Sequence, residues 1–419
     1  MNVLHVNTYD KLGAARAALN LHYAMLNFGV NSKVLVLNKT IEDPNIIQYP
    51  VDLHYRIAYR LKHKVFALKT DPNYYFYNLS EAFSMISVKK ALKLINFKPD
   101  VIIFHWISDF IIARDIYKFG KYTGAAIYWC GLDMAPLTGG CHYAWECKGY
   151  QKDCNLCPAI LNVKQKNRAF KNLKKKNKYL SDSKISFIAP TSSLEEQAKQ
   201  SSLFSSKNII KIFLSIDNNI FKPANKNDVR KILNIPLNKK IILIGSLDIE
   251  EKRKGFSYLI KALNHLNETI DRKTREEILL LVIGEKKGDI HTKLPFETLF
   301  IGRINDDAKL AMIYQASDLY VCSSIEDAGP MMINEAIMCG TPVVAFDNGV
   351  AKDLVLNFET GYRAILKDYK DLAFGIKKVL FQTNENYINY VDNCRNLALS
   401  MLKPKKQVAY FINFINNEC

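Results

Sequence analysis

The sequence predicts an α/β chain made of two doubly wound domains. Three observations carry that reading. Short apolar runs alternate with longer amphipathic ones along most of the 419 residues. Most of the short runs are continuously apolar, as strands covered by helices on both faces are. They fall into two sets of six, divided by the polar stretch Ser215–Asn238 with its Pro223 and Pro236.

In chain order, the first set is Val3–Asn7, Lys33–Leu37, Val101–His105, Ala125–Trp129, Ile185–Ala189 and Ile209–Leu214. The second is Ile241–Gly245, Ile278–Ile283, Leu299–Gly302, Asp318–Cys322, Pro342–Phe346 and Gly361–Ile365. Helical patterns lie between them, at Ala14–Phe28, Phe256–Leu266, Ala308–Ala316 and Met331–Cys339. Alternation of strand and helix implies parallel sheets with right-handed crossovers. The expected boundaries are 1–215, 216–395 and a helical terminal segment 396–419, whose return to the first domain is left open. Two such domains facing each other would form a ligand cleft at the carboxyl ends of their strands.

Composition narrows the function classes. Apolar residues make up 48% and charged residues 24%, so long disorder is excluded. No run reaches the roughly 18 apolar residues of a spanning helix. Met1–Asp10 has neither the basic start nor the apolar centre of a signal peptide, so an intracellular protein is expected. The net charge of +17 admits nucleic acid, but no recognised nucleic-acid module accompanies it. The charge is concentrated. Lys164–Lys178 holds eight basic residues and no acid, and Leu53–Lys69 holds five more. On a helix, Ile57, Leu61, Val65 and Leu68 share one face, and Arg56, Arg60 and Lys64 line another. That pattern suits an anionic membrane surface, or equally a helix packed on its own domain with a solvated charged face.

The strongest local pattern runs from Asp318 to Val344. A buried strand ends at Ser323 or Ser324, and an acidic loop, Ile325–Gly329, follows. Pro330 suits a first helical turn, Gly340 a C-terminal cap, and Thr341–Phe346 the next strand. The helix start would offer the N–H groups of Met331, Met332 and Ile333 to a phosphate. Glu326 and Asp327 stand where sugar hydroxyls would be held, and Glu335 lies one turn further along.

Here the sequence resembles the retaining glycosyltransferases of family 4, which have the GT-B fold of two Rossmann-like domains about a central cleft. Their pattern is two glutamates separated by seven residues, then an Ala and a Cys-Gly-Thr-Pro-Val-Val strand entry. Glu335-Ala-Ile-Met-Cys-Gly-Thr-Pro-Val-Val matches the second half, while the first acid is Asp327 or, one residue earlier, Glu326. The resemblance implies that the first acid holds the donor sugar and the second the nucleotide ribose. It also matches Lys254-Gly255, implying a lysine on the donor diphosphate. The family's phosphate-binding arginine is replaced by Ser246, with Arg253 as a substitute. Near the start, Val3–Asn7 leads to Gly13 and Arg16, which correspond to a loop beside donor phosphates and acceptor. Arg16 reads equally as a helix-surface residue.

In Cys130-Gly-Leu132-Asp133, a leucine stands where relatives carry a histidine near the donor sugar, and Asp133 is retained. His105 reads as an acceptor-side group or as a buried histidine. The resemblance implies transfer from a nucleotide-sugar to a hydroxyl with retention, the leaving phosphate taking the acceptor proton. No cofactor is then required for catalysis. The sequence has no Asp-x-Asp pair to hold a catalytic metal. Relatives commonly build surface polysaccharide on a lipid carrier, which implies a glycan or lipid-linked glycan acceptor, a hexosyltransferase and a place on the inner membrane face. The first domain would take the acceptor and the second the nucleotide-sugar. A nucleotide-sugar epimerase and a non-catalytic binding protein of the same fold are the competing readings.

Nine cysteines and no export signal make a disulfide framework a poor reading. Four of them, Cys141, Cys147, Cys154 and Cys157, are spaced Cys-x5-Cys-x6-Cys-x2-Cys beside His142. A structural zinc pinning an irregular loop is one reading, and unliganded or redox-active thiols the other.

Overall fold

The computed structural model describes residues 1–245, 251–284 and 293–418. The chain divides into two compact units, Met1–Leu214 with Val408–Cys419, and Ser215–Gln407. The sequence places the terminal segment from residue 396, whereas residues 396–407 stay with the second unit. The helix Asn384–Met401 contacts the helix Met331–Met338 there, which keeps it in that unit.

The first unit holds β1 (Asn2–Tyr9), β2 (Asn31–Asn38), β3 (Ile46–Gln48), β4 (Val101–Phe104), β5 (Ala126–Cys130), β6 (Ile185–Ala189) and β7 (Ile209–Lys211). They form one sheet in the order β3-β2-β1-β4-β5-β6-β7. The second holds β8 (Lys240–Gly245), β9 (Ile278–Ile283), β10 (Glu297–Gly302), β11 (Leu319–Cys322), β12 (Val343–Phe346) and β13 (Gly361–Ala364), in the order β10-β9-β8-β11-β12-β13. Every described pairing between these strands is parallel. The strands β4, β6, β9, β11 and β12 are buried along their whole length, which is why they read as unbroken apolar runs. The strand absent from the sequence reading is β3, a three-residue edge strand too short to show a pattern.

Strand order reverses beside β1 in one sheet and beside β8 in the other. The loops leaving β1 and β4, and those leaving β8 and β11, therefore flank the topological switch points. In open α/β sheets ligands bind there, outside the carboxyl ends of the strands. The second sheet is anchored at its opposite end by Asp318. Its carboxylate takes Lys226 Nζ at 2.6 Å, Arg230 Nη2 at 2.8 Å and the Ile241 N–H at 2.7 Å. Burial works against ionisation here, and the two cations overcome it, holding the carboxyl below its usual range.

The terminal helix Pro404–Glu418 closes the core of the first unit. Val408, Phe411 and Ile415, spaced by three and four residues, enter one cluster with Val3, Tyr128 and Ile188. The Phe411 ring meets Tyr128 edge to face, centroids 5.1 Å apart. Truncating Phe411 to Ala should cost the first unit about 3–5 kcal/mol, and Phe411→Leu clearly less. Denaturant unfolding followed by circular dichroism measures both; equal stability of wild type and Phe411→Ala would contradict this packing.

Candidate functional site

In the second unit the loop after β8 and the loop after β11 are laced together. Gly255 sits at φ +64°, and a Cβ there would lie 1.9 Å from the Ser323 carbonyl oxygen. Only glycine allows that approach. The Ile325 N–H then donates to the Arg253 carbonyl at 2.8 Å, and Ser323 Oγ donates to the Lys254 carbonyl at 2.9 Å. Arg253 and Lys254 are thereby delivered to Asp327, with Nη1 at 2.8 Å and Nζ at 2.6 Å from Oδ2. Burial would push the Asp327 carboxyl up; the Lys254 ammonium and Arg253 guanidinium reverse this and hold it below its usual range. Arg253 also pairs with Glu251 at 2.7 Å. Glu326 is part-buried, and its backbone N–H donates to the Arg253 carbonyl at 3.3 Å.

The helix Met331–Met338 starts immediately after this group. Pro330 is its N-cap rather than a residue of its first turn, and no side chain caps that end. The Ile333 N–H is not available to a ligand, because it donates to the Pro330 carbonyl at 3.0 Å. That removes Ile333 from the expected anion cradle and leaves Met331 and Met332. At the other end, Gly340 at φ +76° donates to the Ile337 carbonyl and Thr341 to the Ala336 carbonyl. This is the paired bonding of a Schellman cap, as the glycine position predicts. Glu335 is only 1% exposed and accepts from the Tyr314 hydroxyl at 2.8 Å. The sequence presents it towards a ligand; the structure buries it and gives one carboxylate oxygen to Tyr314. Ser246 lies outside the described residues.

In the first unit, β4 and β5 end beside a narrow pocket, part of it open to solvent, lined by His105, Trp106, Ser108, Trp129, Leu132 and Asp133 among others. Asp133 Oδ2 stands 2.7 Å from His142 Nδ1, and Ser108 Oγ stands 2.9 Å from His142 Nε2. The Trp106 indole N–H also points to Nδ1, at 3.2 Å, so three side chains meet the imidazole. Asp133, Ser108 and His142 are buried. Local spacing does not show this set: His142 stands beside the cysteines, and nothing along the chain joins Ser108 to it. The Gly-Gly-Cys-His-Tyr stretch beside Asp133 was the available signal.

His105 is neither wholly acceptor-facing nor simply satisfied. Its Nε2 lies 2.9 Å from His5 Nδ1, the rings stack at 5.2 Å, and its Nδ1 finds no partner among the described residues. Gly13 is exposed in the first turn of the helix Leu12–Asn27, and a Cβ there would meet nothing within 4 Å. The fold itself therefore does not demand a glycine at that position. Arg16, one turn on, is part-buried.

Cys141, Cys147, Cys154 and Cys157 line a second, small cavity in the loop between β5 and β6, and none forms a disulfide. As the side chains stand, no three His, Cys, Asp or Glu among the described residues are arranged to hold an ion. Burial, and then the neighbouring sulfurs, raise the Cys141 thiol well above its usual range.

The two basic segments differ. Lys176, within the 164–178 run, is fully buried and ties the loop after β5 through the Ala135 and Thr138 carbonyls at 2.6 and 2.9 Å. The helix Leu53–Val65 packs through Tyr55, Ala58 and Lys62. Its row Leu53, Ile57, Leu61 and Val65 is 73, 49, 50 and 63% exposed, beside exposed Arg56, Arg60 and Lys64. Leu68 falls outside the helix.

The two parallel sheets, each covered by helices, are the architecture of the GT-B fold. Solved structures with that architecture align over nearly the whole chain. Sucrose-phosphate synthase from Thermosynechococcus elongatus superposes with a TM-score of 0.69 at 16% identity, over 100% of both chains. Anabaena HepE in complex with UDP and glucose gives 0.63 at 16%, over 99% of both. Residues 225–396 match the family described as glycosyl transferases group 1. An uncharacterized glycosyltransferase from Haemophilus influenzae is 27% identical over 192 residues, which are 43% of this chain and 51% of the relative. The phosphatidyl-myo-inositol mannosyltransferase of Mycobacterium leprae is 30% identical over 34% of this chain and 38% of its own. The chain thus spans about half or less of the curated relatives it matches.

The buried histidines make the first unit sensitive to acid. Burial lowers His105 to about 3 and His22 to about 4, and lowers His5 with help from the other two. The folded unit keeps them neutral while the unfolded chain protonates near 6.5, so stability present above 6.5 is lost as pH falls. Each contributes up to about 1.4 kcal/mol per pH unit. Asp115, raised to about 6 by burial, acts the opposite way between 6 and 3.8 but is one group against three. The melting temperature should therefore drop from pH 6.5 to 4, with a shallower drop in His22→Gln. A flat profile would contradict it.

Proposed function

We propose that this protein is a retaining glycosyltransferase moving a sugar, of hexose type, from a nucleotide-sugar to a hydroxyl acceptor. The observation that carries the reading is the Arg253–Asp327–Lys254 group at the start of the Met331–Met338 helix, beside the β8/β11 switch point. Two cations and a helix N-terminus are what a diphosphate requires. The match of residues 225–396 to glycosyl transferases group 1 supports it, as do neighbours of the same fold solved with UDP and UDP-glucose.

In this reading Lys254 and the Met331 and Met332 N–H groups stabilise the departing diphosphate. Asp327 keeps Lys254 and Arg253 in place and, with Glu326, orients the donor ring. Glu335 holds the ribose, its rotamer set by Tyr314. Asp133, oriented by His142, and His105 serve the sugar-binding cavity of the first unit, with Gly13 and Arg16 in the first turns of the helix after β1. The bond from the anomeric carbon to phosphate breaks with its electron pair leaving on the diphosphate. The acceptor oxygen bonds on the same face, and its proton passes to the leaving phosphate.

A panel of UDP-, GDP-, ADP- and TDP-sugars tests the donor side. One base should raise the wild-type melting temperature by mass action. Lys254→Ala and Glu335→Ala should each weaken that donor at least about tenfold, or 1.4 kcal/mol. A glycosylated product rather than an epimer should form. Binding unchanged by Lys254→Ala would remove the assignment.

We further propose that the acceptor is a lipid-linked glycan of surface polysaccharide synthesis, met on the inner face of the cell membrane. No helix among the described residues is long and apolar enough to cross a membrane. The exposed Leu53–Ile57–Leu61–Val65 row with its basic flank supports a helix lying in an anionic interface. Sedimentation with phosphatidylglycerol vesicles should capture the protein. Ile57→Asp with Leu61→Asp should lower the affinity at least about tenfold, with donor binding unchanged. Equal capture of both proteins would rule this surface out.

A further inference from the structure

We propose that Cys141, Cys147, Cys154 and Cys157 bind one zinc ion with four thiolate ligands, closing the loop between β5 and β6 into a rigid lobe. The geometry carries this in three ways.

First, four sulfurs from 17 residues of chain line a single cavity. Closing them on one ion is assigned to side-chain rotation, since the side chains as placed do not yet surround a common point.

Second, the backbone is arranged around the sulfurs as acceptors. The Gly139 N–H points to Cys154 Sγ and the Gly149 N–H to Cys147 Sγ, both at 3.4 Å. N–H groups aimed at sulfur hold those two side chains in place around the cavity, as outer-shell donors do for metal ligands. Cys154 and Leu156 adopt positive φ, 56° and 49°, so the chain turns sharply within the Cys-x2-Cys stretch itself. A Cβ on Gly149 would meet Cys154 Cα at 3.3 Å and Cys147 Sγ at 3.4 Å, so the loop is drawn tightly round the sulfurs.

Third, the segment from Gly131 to Asn167 has little regular structure of its own, only two single-turn helices, Gly149–Gln151 and Val163–Gln165. Such a segment needs anchors to stay ordered. Tetrahedral zinc with four cysteines is the usual ion for that task, because it is redox-inert and closed to substrate. Cys141 precedes His142, so an ion here would also fix the histidine that faces Asp133 and Ser108.

The site is independent of the sugar-transfer reading and is tested without activity. Zinc content of the full chain, purified without chelator, should be about one per chain. Cys157→Ser should lose most of it. Should that variant not fold, cobalt exchange into wild type decides. Tetrahedral thiolate coordination gives strong thiolate-to-cobalt charge-transfer absorption and intense visible bands. Weak octahedral bands, or no metal bound by the folded chain, would overturn the proposal. Disulfides among these cysteines in protein purified under reducing conditions, or iron with sulfide in place of zinc, would overturn it equally.

Discussion

The candidate donor site depends on one close approach: the backbone of Gly255 against the carbonyl of Ser323. Without a side chain at that position two loops touch directly, and the hydrogen bonds from Ile325 and Ser323 lock them. The electrostatics follow from this contact. Asp327 would be an expensive buried carboxylate alone, and Arg253 and Lys254 would be two repelling cations. Joined, each offsets the desolvation of the others. Buried pairs of this kind stabilise little in net terms, but breaking one partner away is costly. The arrangement therefore fixes positions more than it adds stability, as a diphosphate-binding site requires.

The first unit solves a comparable problem differently. Its loop after β5 is held by buried polar side chains reaching in from elsewhere. Lys176 binds two carbonyls of that loop, Asn172 binds the Gly139 carbonyl at 3.0 Å, and Asp133 and Ser108 bracket His142. The basic run at 164–178 thus hides a structural lysine. Helical spacing explains it. Ala169, Leu173, Lys176 and Leu180 share the buried side of the helix Arg168–Leu180, while its other lysines face outward.

Among the described residues twelve of the thirteen strands were legible, most plainly β4, β6, β9, β11 and β12, because parallel strands buried on both faces leave continuous apolar runs. The Met331–Met338 helix was legible because its proline start and glycine stop are backbone requirements, not packing choices. Tertiary side-chain meetings were not legible. Nothing in local spacing joins Arg253 to Asp327, Tyr314 to Glu335, or Ser108 to His142, since loop contacts across a sheet leave no period. The helix Leu53–Val65 shows the limit most clearly. Its apolar stripe is plain in the sequence, yet the stripe faces out and Tyr55, Ala58 and Lys62 face in. Hydrophobic spacing reports that a face is apolar, not what covers it.

The terminal helix has a consequence for the order in which the chain matures. Phe411 and its neighbours complete a core whose other members come from the first 212 residues. A ribosome delivers those residues well before the helix. The second unit, contiguous from Ser215 to Gln407, has its whole sequence available before the first has all of its own. The earlier-made half must therefore wait, its hydrophobic seam between β1, β5 and β6 uncovered, until Val408, Phe411 and Ile415 have been made.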